Sequence, residues 1–177
     1  TSAGFLFVCR KSLVYNCNMI EKHYWKIKQA ALDIDLCVVS KHHSIEEIQS
    51  YYDAGERIFA ENRATELIFK ADTLPKDIAW HYIGHLQRNK VKEILPIVSC
   101  IQSLDNIALA KVIEKEATKL NRTVNVLIEL HLADEDTNKS GLDPADVDMF
   151  TNFLLQECPH ISIQGLMTMG PHTEDTA

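Results

Sequence analysis

The chain has 177 residues, of which 46% are hydrophobic and 24% charged, and its formal charge is −7. That length suits one domain with a real core and is too short for two comfortable ones. The acidic balance argues against a nucleic-acid partner, which needs a basic face, and no apolar run approaches bilayer-spanning length. The five cysteines (Cys9, Cys17, Cys37, Cys100 and Cys158) are scattered and odd in number, with no CxxC pair. They read as buried reduced thiols of a cytoplasmic protein, not as a disulfide frame or a zinc site.

The first 18 residues fit the rest poorly. Phe5-Leu6-Phe7-Val8 is an apolar run followed by Arg10 and Lys11, too short and wrongly ordered for a secretory signal. A partial strand, an artificial remnant and sequence upstream of a natural start at Met19 all stay open. From Met19 to Leu32, Ile20, Tyr24, Ile27 and Ala31 recur at helical spacing and predict an amphipathic helix.

Leu36-Cys37-Val38-Val39-Ser40-Lys41 is a short apolar run, rich in β-branched residues, that ends abruptly in a lysine. Such a run predicts a buried strand, and its carboxyl end is where α/β folds place ligands and reactive groups. Ser44 and Glu47 form a capping-box pattern, so a helix follows with Ile45, Ile48 and Tyr52 buried, stopped by Gly55. Arg57–Ala60 is the next strand and ends in Glu61-Asn62. Its helix carries Ala64, Leu67, Ile68 and Ala71 inward before Pro75. Trp80–Ile83 is a third strand, followed at Gly84-His85 by a helix through Val91, Ile94 and Leu95 that Pro96 ends. Ile97–Ile101 is the fourth, leading through Ser103 and Asp105 to a helix with Leu109, Val112, Ile113, Ala117 and Leu120 on one face.

Val124–Leu130 is the fifth strand, and a long polar loop from His131 to Asp143 contains Lys139-Ser140-Gly141. Asp143-Pro144 opens a helix with an N-cap and a first-turn proline, burying Val147, Phe150, Leu154 and Leu155. Ile161–Leu166 is the sixth strand and runs into Met167-Thr168-Met169-Gly170-Pro171. Six alternations of strand and helix predict a parallel sheet with helices outside. Two closures compete, an open doubly wound sheet and a (β/α)8 barrel. No Gly-rich phosphate turn follows the first strand, which counts against the former. Six strands of a barrel leave two free edges, so either the sequence is part of a longer domain or the closure is different.

Val38-Val39-Ser40-Lys41, Phe59-Ala60-Glu61-Asn62, the segment Trp80-His81-Tyr82-Ile83-Gly84-His85-Leu86-Gln87-Arg88-Asn89-Lys90-Val91-Lys92, Lys139-Ser140-Gly141-Leu142 and Gly165-Leu166-Met167-Thr168-Met169-Gly170 follow one another in order and spacing. Together they resemble the pyridoxal phosphate homeostasis protein family, itself similar to the amino-terminal barrel domain of alanine racemase. The likeness covers roughly Met19 to Pro171, and the IGHLQxNK segment is its most specific part.

The resemblance implies a (β/α)8 TIM-type barrel whose last two βα units lie outside this sequence. The domain would occupy 19–177, and 1–18 would be an extension. It also implies pyridoxal 5′-phosphate held as a Schiff base on Lys41, with Asn62 near the cofactor and Met167 at a strand end facing the same pocket. The family is associated with cofactor buffering and amino-acid homeostasis and has no established turnover of its own, which suggests a monomeric, cytoplasmic carrier serving pyridoxal phosphate-dependent apoenzymes. Ala60 stands where the family usually has glycine, and His42-His43-Ser44 replaces its usual threonine-lysine-proline. The family's Ser/Gly-rich phosphate loop, and the arginine facing the pyridine nitrogen, belong to a segment outside this sequence. Poor cofactor binding by the chain as written is therefore expected, and good binding by the intact protein.

An imine forms only from a neutral amine, so Lys41 needs burial or a proton-accepting partner. Asn62 can hold the ring hydroxyl of the cofactor, cap the helix beginning near Ala64, or do both. Met167 reads as a polarizable wall or a plain core residue. His81 and His85 are four apart, but Gly84 interrupts and no third ligand of suitable spacing is evident, so no metal site is expected. Lys139-Ser140-Gly141 could clasp a phosphate or simply turn the loop. An alternative function is an amino-acid racemase with Lys41 as one acid/base, which requires a second such group on the opposite face. A barrel enzyme of unrelated chemistry is the third reading.

Overall fold

The computed structural model describes residues 12–16, 35–132 and 140–169. The helix expected from Met19 to Leu32, the run Phe5–Val8, Cys9, Cys17, Lys139 and Gly170-Pro171 lie outside them. Seven strands among the described residues form one sheet: β1 Ser12–Asn16, β2 Asp35–Val39, β3 Ile58–Glu61, β4 Ala79–Tyr82, β5 Val98–Leu104, β6 Val124–Leu130 and β7 Ile161–Thr168. They lie side by side in chain order, every neighbouring pair parallel. This is one strand more than the sequence reading counted. Ser12–Asn16 pairs in register with Asp35–Val39, so the strand leading to Lys41 is the second of the sheet.

Sequential parallel order has a topological consequence. A doubly wound sheet reverses direction at a switch point, whereas a sheet that always steps the same way keeps its right-handed crossovers, and so its helices, on one face. The packing follows that rule. The helices α1 Ile45–Asp53, α2 Ala64–Thr73, α3 Val91–Ile94, α4 Ile107–Leu120 and α5 Val147–Glu157 share one large core with Leu36, Val38, Phe59, Trp80, Tyr82, Ile101, Val126 and Ile128. A separate small core on the other face draws only on strands: Cys37, Val39, Ala60, Cys100, Leu127 and Met167. Strand residues alternate between the two faces, as pleating requires. The architecture is a parallel α/β sheet of half-barrel type, with one helix-covered side and one inner side.

Local chemistry sets the helix boundaries. Ser44 and Glu47 make the capping box that their spacing predicts. Asn106 caps α4 by accepting from the Leu109 amide at 2.8 Å. Asp143 accepts from the Ala145 amide, and Pro144 opens a short 3-10 turn ahead of α5. Of the helix residues expected inside, two are exposed, and Ile45, Tyr52, Ile68 and Val112 pack against the core while only partly buried. Tyr51, not Tyr52, is fully buried in α1, while Leu120 and Leu155 are exposed. Leu120 closes the last turn of α4, and Leu155 sits one step round the helix from buried Leu154, at the edge of the stripe. Cys37, Cys100 and Cys158 are buried and in no disulfide among the described residues. No described helix is long and apolar enough to cross a membrane.

Candidate functional site

The site grows from the carboxyl ends of β2 and β3. Val38 pairs with Phe59 and Val39 with Ala60. Ser40 continues that register, its amide donating to the Ala60 carbonyl at 2.9 Å and its hydroxyl lying 2.6 Å from Glu61 Oε1. Lys41 follows it two residues beyond the end of β2, and Asn62 stands one residue beyond the end of β3. Lys41 is half-buried. The chain then turns sharply: the His43 amide donates to the Ser40 carbonyl at 3.1 Å, and His42 takes a left-handed conformation with φ of 67°. Positive φ at a residue other than glycine persists only where its surroundings hold it.

Asn62 is not the helix cap. Arg63 occupies that position, with no side-chain cap hydrogen bond, so the capping role considered for Asn62 falls away. Its Oδ1 is instead a buried oxygen with no hydrogen-bond partner. Buried polar groups are nearly always satisfied, and an orphaned acceptor just beyond the end of β3, next to the strand that leads to Lys41, fits a ligand hydroxyl. The backbone of Asn62 is held as well, since Tyr82 Oη donates to its carbonyl at 3.1 Å. Gly84 crosses directly over it. A Cβ at position 84 would come within 2.9 Å of Asn62 C and Cα and closer still to the carbonyl oxygen. We expect Gly84→Ala to lower stability by about 1–3 kcal/mol through forced overpacking, read as a lower urea midpoint.

Met167 lies in the inner core with Val39 and Ala60 and is almost completely buried. In β7 it pairs with Glu129 of β6. Glu129 is also buried, accepts from Ser140 Oγ at 2.8 Å, and is pushed above the usual carboxylate range by burial. Ser140 of the Lys139-Ser140-Gly141 stretch therefore contacts a carboxylate, and Gly141 turns the loop at φ of 130°.

His81 and His85 diverge. His81 stands on the inner side, where Gln102 Nε2 and His81 Nδ1 are 2.7 Å apart. His85 is exposed at the rim, 4.0 Å from Asp105. Among the described residues no group of three His, Cys, Asp or Glu is placed to hold a metal ion. Burial pulls His81 down from its ordinary 6.5 to about 4. The folded state thus binds fewer protons than the unfolded one across that window, so its contribution is complete above 6.5 and is lost as pH falls toward 4. We expect urea unfolding to report about 2 kcal/mol less stability at pH 5 than at pH 7 from this group, a difference that His81→Gln removes.

The conspicuous segment His85–Asn89 lines, with Asn106, Ala108 and Leu109 at the start of α4, a cleft of about 680 Å³. The cluster that sequence reading missed lies behind Lys41 on the helix side. Lys70 of α2 and Glu61 of β3 form a buried ion pair at 2.7 Å, and both bond to Ser40. The available signal was a lysine three residues after Leu67, on the apolar side of its helix.

The fold is a half-barrel of parallel βα units, with Lys41 just beyond the end of β2, the orphaned Asn62 Oδ1 just beyond the end of β3 and Met167 buried in the small core of the inner face. The comparisons then give its kin. The profile of the family described as "Alanine racemase, N-terminal domain" matches residues 15–177, and the chain belongs to that family. Within it, the chain is similar to the pyridoxal phosphate homeostasis protein of Aquifex aeolicus, 39% identical over 131 residues, covering 73% of this chain and 57% of the relative. The solved structure of PipY from Synechococcus elongatus with PLP bound is 35% identical, with a TM-score of 0.68, over 76% of this chain and 62% of that one. Alanine racemase of Clostridium difficile, 15% identical with a TM-score of 0.69 over 94% of this chain and 42% of that one, shares the fold. The chain thus spans about three-fifths of the length of the first two.

Proposed function

We propose that this chain is part of a pyridoxal 5′-phosphate-binding protein that holds the cofactor as a Schiff base on Lys41 and acts as a non-catalytic carrier in cofactor and amino-acid homeostasis. The observation that carries the reading is the buried, unpartnered Asn62 Oδ1 just beyond the end of β3, the strand paired with the one that leads to Lys41. An amide at that position suits the ring hydroxyl next to the aldehyde, and Met167 offers a polarizable wall. Pyridoxal phosphate, when bound, supplies an aldehyde for covalent capture and a ring that serves as an electron sink.

In this proposal, Lys41 Nζ, as the neutral amine, attacks the aldehyde carbon. A C=N bond replaces C=O, the two amine hydrogens leave with the carbonyl oxygen as water, and reversal releases the cofactor to an apoenzyme. With seven strands in the sheet, one further strand between the β7 and β1 edges would complete a closed eight-stranded barrel, and the phosphate donors would belong to that late part of the barrel, following the usual placement of phosphate sites in such folds. PipY with PLP bound and the named homeostasis relatives support this reading.

The test is a visible absorption spectrum of the full-length protein with added pyridoxal phosphate, followed by borohydride reduction and peptide mapping. A yellow band with the reduced adduct on Lys41 is the expected result. A colourless protein, or an adduct only elsewhere, overturns the proposal. Incubating the yellow protein with single L-amino acids separates carrier from racemase: persistent absence of the D-isomer is expected.

A further inference from the structure

Ser40, the residue immediately before Lys41, is wholly buried, and every polar atom it owns is engaged. Its amide donates to the Ala60 carbonyl at 2.9 Å. Its hydroxyl lies 2.6 Å from Glu61 Oε1 and 3.2 Å from the Ala60 carbonyl. Its carbonyl accepts twice, from the His43 amide at 3.1 Å and from Lys70 Nζ at 2.8 Å. Lys70 reaches this carbonyl from α2, behind the sheet, and its ammonium also donates to Glu61 Oε1 at 2.7 Å, with Glu66 Oε2 at 3.7 Å. Both partners of the ion pair are buried.

Replacing a buried ion pair with apolar residues is often neutral or stabilising, so the pair is weak evidence of a stabilising role. What distinguishes this one is its third partner. The two charges do not merely neutralise each other. They converge on the residue from which the candidate amine departs, at the point where the strand ends and a left-handed residue begins. A strand end is ordinarily free to fray, and a flexible lysine stem on a fraying end samples many directions. Clamping the preceding peptide from behind removes that freedom, in the way that buried supporting hydrogen bonds orient a reacting group.

Lys70 matters chemically as well. It is a second primary amine one residue's reach from Lys41, and an amine competes for an aldehyde only when its lone pair is free. Held by the Ser40 carbonyl and the Glu61 carboxylate, with its head on the helix side of the sheet, Lys70 is removed from that competition.

We propose that Glu61 and Lys70 are positioning residues for Lys41: acting through Ser40, they lock the end of β2 so that the Lys41 amine alone is presented to an aldehyde ligand at the inner rim. This rests on the reading of Lys41 as the imine lysine. The experiment uses the full-length protein, pyridoxal phosphate as probe, and three forms: unmodified, Glu61→Leu/Lys70→Met, and Ser40→Ala. The double variant removes both charges together, so no lone charge is left buried. Three readouts are followed: the rate of appearance of the imine band, the visible circular dichroism per bound imine, and the distribution of the borohydride-trapped adduct among lysines.

For the folded double variant, imine formation at least tenfold slower is expected, with visible ellipticity per imine at least halved and adduct spread from Lys41 to surface lysines. For Ser40→Ala, which keeps the carbonyl and loses the hydroxyl bond to Glu61, about threefold slowing with the same loss of ellipticity is expected. That variant decides the matter if the double variant does not fold. Wild-type rate, ellipticity and exclusive Lys41 labelling in the folded variants overturn the inference alone. Absence of any Lys41 adduct in the unmodified protein instead sinks the reading beneath it, and the inference with it.

Discussion

Lys41→Ala is expected to abolish the visible imine band and leave no borohydride-trapped adduct on the peptide carrying residue 41. The effect should be all-or-none, because the proposed covalent link has one nitrogen and alanine offers none. Loss of stability should be small, since Lys41 is only half-buried and the hydrogen bonds of the turn run through the Ser40 and His43 backbones. The measurement is therefore clean: far-ultraviolet circular dichroism and the urea midpoint stay near those of the unmodified protein while the band disappears. A band of undiminished intensity in Lys41→Ala would move the imine to another lysine.

The largest expected stability effect belongs to Lys70→Met. It leaves the Glu61 carboxylate buried, already with Oε2 lacking a hydrogen-bond partner, and now without its cation. Breaking a buried pair from one side costs about 3–5 kcal/mol. For a domain of this size that corresponds to a melting temperature lower by about 6–20 °C. Burial already holds Glu61 above the ordinary carboxylate range, and loss of the cation raises it further. A raised carboxyl in the folded state means that the folded protein binds the proton more readily than the unfolded one. The penalty is thus absent below the unfolded pKa and grows as pH rises through the folded one. The difference between Lys70→Met and the unmodified protein should shrink on acidification, and Glu61→Leu/Lys70→Met should recover most of the stability at neutral pH. Urea titrations across pH check both expectations.

These two lysines also mark where sequence reading succeeds and where it stops. Lys41 was legible because a run of four apolar residues ends in Ser40-Lys41 and the next residues carry a capping box, so strand end and amine coincide within the local pattern. The six alternations were legible for the same reason, each being a local period. Ser12–Asn16 was legible only as the open possibility of a partial strand in the first 18 residues, because it offers only Leu13, Val14 and Tyr15 between polar residues and has no turn signal of its own. Asn62 looked like a helix cap because one-dimensional spacing places it next to Arg63. Only the approach of Tyr82, at the end of β4, and of Gly84, just beyond it, shows its backbone to be committed elsewhere. Lys70 is nine residues from Glu61 and thirty from Ser40, and its meaning exists only once α2 lies on the sheet. Leu120 and Leu155 failed in the opposite direction: a periodic stripe gives the phase of a helix, not how far the sheet beneath extends to cover it.

The sheet's neighbour-by-neighbour order carries a consequence for how the protein comes into being. Ser40, Lys41, Glu61, Asn62 and Lys70 all fall within positions 40 to 70, in two consecutive βα units joined without any long-range crossing. Contacts that close short loops cost the chain less entropy than those that close long ones. The brace behind Lys41 is therefore held by short loops alone, and its geometry does not wait on a contact with the distant end of the chain.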